Sequence, residues 1–208
     1  MELSVSILNS QDRKEMVKLL NKANIKYIHV DVMDGIFVSQ KIFNIEEIRS
    51  ISQVSDKKLD VHLMVENPLL YIENIKDLTN IEYITIHLEI NKDIHGILTK
   101  IKSYGFKAGI SIKPNTDIRK LLPYLEYIDL LLVMTVEPGL GGQPFISSSS
   151  NRLKEIEKLT KNYNIKLEVD GGINNHTIQE VELADIAVVG SYITSSNNPI
   201  DKINSLLV

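Results

Sequence analysis

The 208-residue chain contains no cysteine and no tryptophan. The first absence excludes disulfides, thiolate nucleophiles, cysteine-ligated zinc and iron–sulfur clusters together. The second, with only four phenylalanines, removes the aromatic platforms on which unpaired bases stack. Ten glycines and six prolines are too few for a collagen-like or low-complexity chain. A net charge of −4 gives no basic surplus for nucleic acid. No apolar run approaches the ~18 residues that a bilayer-spanning helix needs. The opening MELSVSILNSQDRKEMVKLL lacks the basic start and the apolar stretch of a signal peptide. These absences together predict a soluble, cytoplasmic protein without a nucleic-acid or membrane partner.

What the chain does have is a repeating pattern. Short runs rich in Val and Ile recur at SVSIL (4–8), YIHVDV (27–32), KLDVHLM (58–64), EYITIHL (82–88), KAGISI (107–112), LLLVMTV (130–136), KLEVD (166–170) and IAVVGS (186–191). Each has strand length and strand composition. Segments with helical spacing lie between them. DRKEMVKLLNKA carries Met16, Val17, Leu19, Leu20 and Ala23 on one face; IEEIRSI, DIHGILTKIKSYG and NRLKEIEKLTKNY carry comparable stripes. No linker or composition break divides residues 1–208. Eight near-continuous apolar strands alternating with helices predict an α/β fold, a (β/α)₈ TIM barrel in a single domain. An open doubly wound sheet is the alternative, but it favours a glycine-rich turn after the first strand, and LNSQDRK has no glycine.

In such a barrel the chemistry sits at the C-terminal ends of the strands. Those ends carry Ser6, His29, Asp31, His62, His87, Met134 and Asp170. Ionisable side chains in apolar strands are costly unless paired or metal-bound. A single one is ordinarily a hydrogen-bonded strand-end residue. His29 and Asp31, two apart, share one face of a strand. With His62 and Asp170 they make a mixed nitrogen and oxygen set for one divalent metal ion, and Zn²⁺, Fe²⁺, Mn²⁺ and Co²⁺ all accept such donors. His87 reads as a satisfied strand-end histidine, and Asp34 as a brace for the site or a cap for its loop. Met33, Met64 and Met134 are core filler by default and a flexible collar around the metal by position.

Glycines mark the same ends. Gly139, Leu140, Gly141 and Gly142 follow strand six, Gly171 and Gly172 follow strand seven, and Gly190 and Ser191 follow strand eight. Glycine lets backbone N–H groups approach an anion, and loops in these positions commonly hold phosphate. Three clusters on consecutive strands point beyond simple tight turns to a phosphorylated small molecule. SSSSN (147–151) reads as a helix entry capped by Ser or Asn.

The strings HVDVMDGIFV (29–38), DVHLMVENP (60–68), VMTVEPGLGGQPFI (133–146), EVDGGIN (168–174) and VVGSYI (188–193) together resemble the ribulose-phosphate 3-epimerase family. The resemblance runs in order over about residues 3–195. It implies interconversion of D-ribulose 5-phosphate and D-xylulose 5-phosphate, a ketose phosphate as partner and a homo-oligomer. It implies metal ligation by His29, Asp31, His62 and Asp170, acid/base roles for Asp31 and Asp170, and substrate contacts from Ser6, His62 and the glycine loops. Departures from the family's usual strings fall at Val5, Ser10-Gln11, Ile36, Ser39-Gln40 and Asn44-Ile45-Glu46, mostly on the loop after strand two. They bear on substrate identity: D-allulose 6-phosphate is the neighbouring specificity, and EVDGGIN with GLGGQ favours the pentose. A phosphosugar-binding paralogue without catalysis would lack the carboxylate pair, and both aspartates are present. Asp31-Val32-Met33-Asp34 has neither the lysine nor the spacing of the D-x-K-x-x-D strand of barrel decarboxylases and aldolases.

Overall fold

The computed structural model describes residues 1–207. Eight parallel strands form the barrel: β1 (Glu2–Ser6), β2 (Tyr27–Asp34), β3 (Lys58–Met64), β4 (Ile81–His87), β5 (Lys107–Ile112), β6 (Leu130–Met134), β7 (Lys166–Asp170) and β8 (Ile186–Val189). β1 pairs with both β2 and β8, so the sheet closes and the open-sheet alternative is excluded. A two-residue strand, Lys41–Ile42, runs antiparallel to the end of β2 and ties down the loop between them.

The helices form because their ends are satisfied and one face is apolar. In α1 (Arg13–Leu20) the Asp12 side chain accepts from the Glu15 N–H. In α2 (Ile45–Val54) Asn44 and Glu47 cap each other reciprocally. α3 (Pro68–Ile75) begins with proline in its first turn, where the missing N–H costs nothing. α4 (Ile94–Ser103) buries Ile94, Ile97, Leu98 and Ile101 against the barrel, each stabilising by about 1.5–3 kcal/mol. Where a fifth helix would follow β5, Ile118–Tyr127 is 3₁₀ and contains Pro123, which removes an α-type hydrogen bond and crowds the preceding turn. α5 (Ser149–Thr160) starts inside SSSSN, but the Ser148 side chain makes no capping bond, and Ser150 instead donates to Glu180. Among the described residues no helix is long and apolar enough to cross a membrane.

The outward faces of the strands supply the main core, with Val5, Ile28, Val30, Leu63 and Val169 packed beneath the helices. The inward faces are layered differently. Tyr27, Tyr83, Leu130 and Ile186 close the N-terminal end, the two tyrosine rings meeting edge to face at 5.7 Å. Above them the interior is polar: Ser4, His29, Asp60, Thr85, Ser111 and Glu168 are all buried. This polar layer supports the site at the other end.

Candidate active site and metal centre

Strand register brings the ionisable residues together. His29 pairs with Asp60, and Asp31 with His62, across β2 and β3. Asp170 stands opposite Met134 and Val188 at the end of β7. Parallel strands with inward alternation therefore place His29, Asp31, His62 and Asp170 on one side of the barrel wall. One ligating atom from each lies within 4.8 Å of every other.

Three of the four side chains, Asp31, His29 and His62, are held by a neighbour. The Ser6 hydroxyl donates to Asp31 Oδ2 at 2.7 Å. Asp31 Oδ1 lies 3.2 Å from His29 Nε2 and 3.4 Å from His62 Nδ1. The far nitrogen of His29, Nδ1, bonds Asp60 Oδ2 at 2.6 Å, and that oxygen also accepts from the Ser4 hydroxyl at 3.0 Å. The far nitrogen of His62, Nε2, faces His87 Nε2 at 2.9 Å. Within this cluster two buried nitrogens lack a hydrogen-bond partner, His29 Nε2 and His62 Nδ1. An orphaned buried nitrogen is costly, and here two face two carboxylates. The donor set fits a divalent metal ion of the transition series.

The two aspartates are electrostatically unlike. Burial works to raise the Asp31 carboxyl, but the charge of His29 and the closeness of both imidazoles to Oδ1 outweigh it and hold Asp31 well below the usual carboxylate range. Burial, followed by the negative charge of Asp31, pushes Asp170 up to about 7. His29 is raised despite its burial because Asp60 and Asp31 flank it, whereas burial lowers His62. One carboxylate is thus kept ionised, and its neighbour is poised near neutrality.

A cavity of about 830 Å³ opens over this cluster. Asp31 and Asp170 line it, together with Ser6, the Gly139–Gly142 loop, Gly171, Gly172, Gly190 and Ser191. All three candidate collar residues, Met33, Met64 and Met134, are buried and line it too. His29 and His62 do not; both are fully buried beneath its floor. His62, expected from the resemblance to touch substrate, is fully buried and is not among the residues that line the cavity. The glycines are required by shape. Gly172 has φ +69°, and a Cβ there would collide with the Phe145 backbone. Gly171 has φ +126°, and its Cβ would meet the Val136 side chain at 2.5 Å.

Asp34 both caps and braces. It accepts from the Ile36 and Phe37 N–H groups and from the Glu66 N–H, joining the loop after β2 to the loop after β3. On that loop Ile36 is 75% exposed, Phe37 packs on His87 at 4.6 Å, and Val38 sits under Gly139. His87 is buried and bonded on both sides, to His62 and to Glu89 at 3.0 Å. Three buried residues, Asp60, Glu168 and Ser4, belong to the site's support and escape the sequence reading. Their signal is the same two-residue spacing that marks His29 and Asp31: Asp60 precedes His62, Glu168 precedes Asp170, and Ser4 precedes Ser6 on shared strand faces.

The closed (β/α)₈ barrel thus carries, under a glycine-walled mouth, two imidazoles and two unlike carboxylates that could hold a metal ion. Comparison with known proteins narrows the class. Residues 2–194 match the Ribulose-phosphate 3 epimerase family. Ribulose-phosphate 3-epimerase from Helicobacter pylori J99 is 37% identical over 202 residues, covering 95% of this chain and 93% of that protein. The Aquifex aeolicus enzyme of the same name is 36% identical over 86% of this chain and 82% of its own length, and that of Bacillus subtilis is 35% identical over 85% and 83%. The chain belongs to the ribulose-phosphate 3-epimerase family and is an enzyme of that family. Among solved structures, a ligand-bound form of KGPDC from Streptococcus mutans superposes with a TM-score of 0.75 at 13% identity, over 99% of this chain and 94% of that one. 3-Hexulose-6-phosphate synthase from Salmonella typhimurium gives 0.69 at 18%, over 99% and 96%. These two likenesses establish the barrel.

Proposed function

We propose that the chain interconverts D-ribulose 5-phosphate and D-xylulose 5-phosphate by moving the proton on C3. The observation that carries this reading is the Asp31–Asp170 pair, two carboxylates lining one cavity with their proton affinities pushed in opposite directions. Family membership supplies the substrate class.

Inverting C3 requires a base on one face of the carbon and an acid on the other. Asp31, ionised, takes the C3 proton. Its Oδ1 faces the histidines, so Oδ2, steadied by the Ser6 hydroxyl, is the oxygen available for that proton. The substrate becomes a planar enediolate. Asp170, protonated at the start of this direction, delivers its proton to the opposite face, and the reverse reaction exchanges the two roles. Positioned acids and bases of this kind contribute roughly 10²–10⁴-fold each. His29 Nε2, His62 Nδ1 and the two aspartates would hold a divalent ion, which would supply Lewis-acid stabilisation for negative charge developing on the substrate. Met33, Met64 and Met134 exclude water around the reacting carbon, which strengthens the electrostatic interactions there. Backbone N–H groups of the Gly139–Gly142, Gly171-Gly172 and Gly190-Ser191 segments receive the phosphate.

The test is a parallel NMR assay of metal-loaded protein with D-ribulose 5-phosphate and D-allulose 6-phosphate. The reading expects xylulose 5-phosphate to form with a clear preference in kcat/KM for the pentose. Turnover of the hexose alone would move the specificity to the altered loop after β2. No turnover of either would leave a binding protein.

A further inference from the structure

The two histidines present different nitrogens to the site, Nε2 from His29 and Nδ1 from His62. Asp60 fixes the first choice, because a carboxylate can only accept and His29 Nδ1 must donate to it. The partner of His62 is another imidazole, which can donate or accept, so the second choice must be fixed further out. Glu89 fixes it. Its Oε1 accepts from the Lys113 N–H at 2.8 Å and from the Thr116 hydroxyl, and its Oε2 faces His87 Nδ1 at 3.0 Å. A carboxylate so placed requires hydrogen on His87 Nδ1. His87 Nε2 then carries a lone pair, and His62 Nε2 must donate across the 2.9 Å gap. That leaves the His62 Nδ1 lone pair facing Asp31. Arg152 steadies the far end by donating to the Lys113 and Thr116 carbonyls. Phe37 packs against the His87 ring at 4.6 Å.

We propose that Glu89 and His87 are positioning residues: the directional chain Glu89–His87–His62 sets which nitrogen of His62 carries hydrogen and so turns Nδ1 toward the metal site. This deepens the proposed epimerase reading and rests on it for the use made of the metal. The hydrogen positions themselves do not depend on it.

Glu89→Gln separates this role from simple packing, because the two side chains have nearly the same shape. Two donors, the Lys113 N–H and the Thr116 hydroxyl, draw the new amide oxygen to their side. The amide NH₂ is then left facing His87. It can only donate, so His87 Nδ1 becomes the acceptor, His87 Nε2 donates, and the hydrogen on His62 moves to Nδ1. His87→Phe keeps ring bulk against Phe37 and removes the acceptor for His62 Nε2, with the same expected result. Imidazole ¹⁵N–¹H NMR on metal-free protein reads the hydrogen positions directly. Competition with a chelator reads Zn²⁺ affinity. Expected are hydrogen on His62 Nε2 in the unaltered protein, hydrogen on Nδ1 in both variants, and Zn²⁺ affinity weakened about 10–100-fold, the usual effect of losing a partner one shell out. Circular dichroism identifies a variant that has failed to fold, in which case the other carries the test. Hydrogen on His62 Nδ1 in the unaltered protein overturns the proposal. So does hydrogen unmoved in the folded variants with Zn²⁺ affinity within twofold of normal. Absence of ketose-phosphate turnover alongside a normal hydrogen pattern overturns the epimerase reading instead.

Discussion

Replacing Glu168 with glutamine tests the polar layer beneath the site. Glu168 is fully buried, and neither carboxylate oxygen has a hydrogen-bond partner; Asp60 Oδ1 beside it lacks one as well. Burial, followed by the charge of Asp60, raises the Glu168 carboxyl well above the 4.5 of a solvated glutamate. A protonated Glu168 supplies the missing bond by donating to Asp60, which already accepts from His29 and Ser4. The folded chain therefore holds a proton that the unfolded chain releases. Stability from that proton is complete below pH 4.5 and is lost as the pH rises through the folded value. For one proton the slope is at most about 1.4 kcal/mol per pH unit. Glu168→Gln donates an amide hydrogen to Asp60 at every pH and removes the slope. Urea unfolding in chelator, in half-unit steps from about pH 5.5 to 8.5, should show the variant gaining on the unaltered protein as the pH rises, at up to that rate. A gap that stays constant with pH would refute the reasoning. Glu168→Leu, which leaves Asp60 Oδ1 unpaired, should instead cost about 1–3 kcal/mol.

Three further outcomes follow from the site. Asp31→Asn and Asp170→Asn should each lower kcat by roughly 10³-fold or more, and a rate within tenfold of normal in either would remove that residue from the acid–base pair. Gly172→Ala drives a Cβ into the Phe145 backbone at φ +69°, so strain of about 1–3 kcal/mol plus the clash should lower the urea midpoint and raise KM; unchanged values would show that the wall is not shape-limited. Metal titration should stabilise the fold by about 2.7 kcal/mol at a hundredfold excess over Kd, and no shift in the unfolding midpoint would contradict metal binding by His29, Asp31, His62 and Asp170 in the native state.

The strands are legible because each is buried on both sides of the barrel wall and reads as an unbroken Val- and Ile-rich run. KLDVHLM, KAGISI and KLEVD coincide with β3, β5 and β7. At the other strands the ends shift by one or two residues, since hydrogen bonding rather than composition ends a strand. α3 escapes the periodicity because PLLYIENI is apolar over most of its surface and shows no clean stripe. The segment Ile118–Tyr127 carries Ile118, Leu121, Leu122 and Leu125 at helical spacing, but Pro123 inside it breaks the α-type hydrogen bonding and the segment is 3₁₀. His29, Asp31, His62 and Asp170 stand out as ionisable groups where apolar residues are expected. Asp60 and Glu168 have the same signature, but their partners are set by register across strands, and register cannot be read from one strand alone. His87 reads correctly as a satisfied histidine, but that His62 satisfies it depends on the same register.

In the proposed reaction two carboxylates act on opposite faces of one carbon. It is tested most directly by running metal-loaded protein with D-ribulose 5-phosphate in D₂O to low conversion and locating deuterium at C3 by NMR. A proton taken by one aspartate and replaced from the other predicts xylulose 5-phosphate carrying solvent deuterium while the unreacted ribulose 5-phosphate keeps its hydrogen. Product that retains the original hydrogen would mean a single group carrying it across the plane, and would contradict the account.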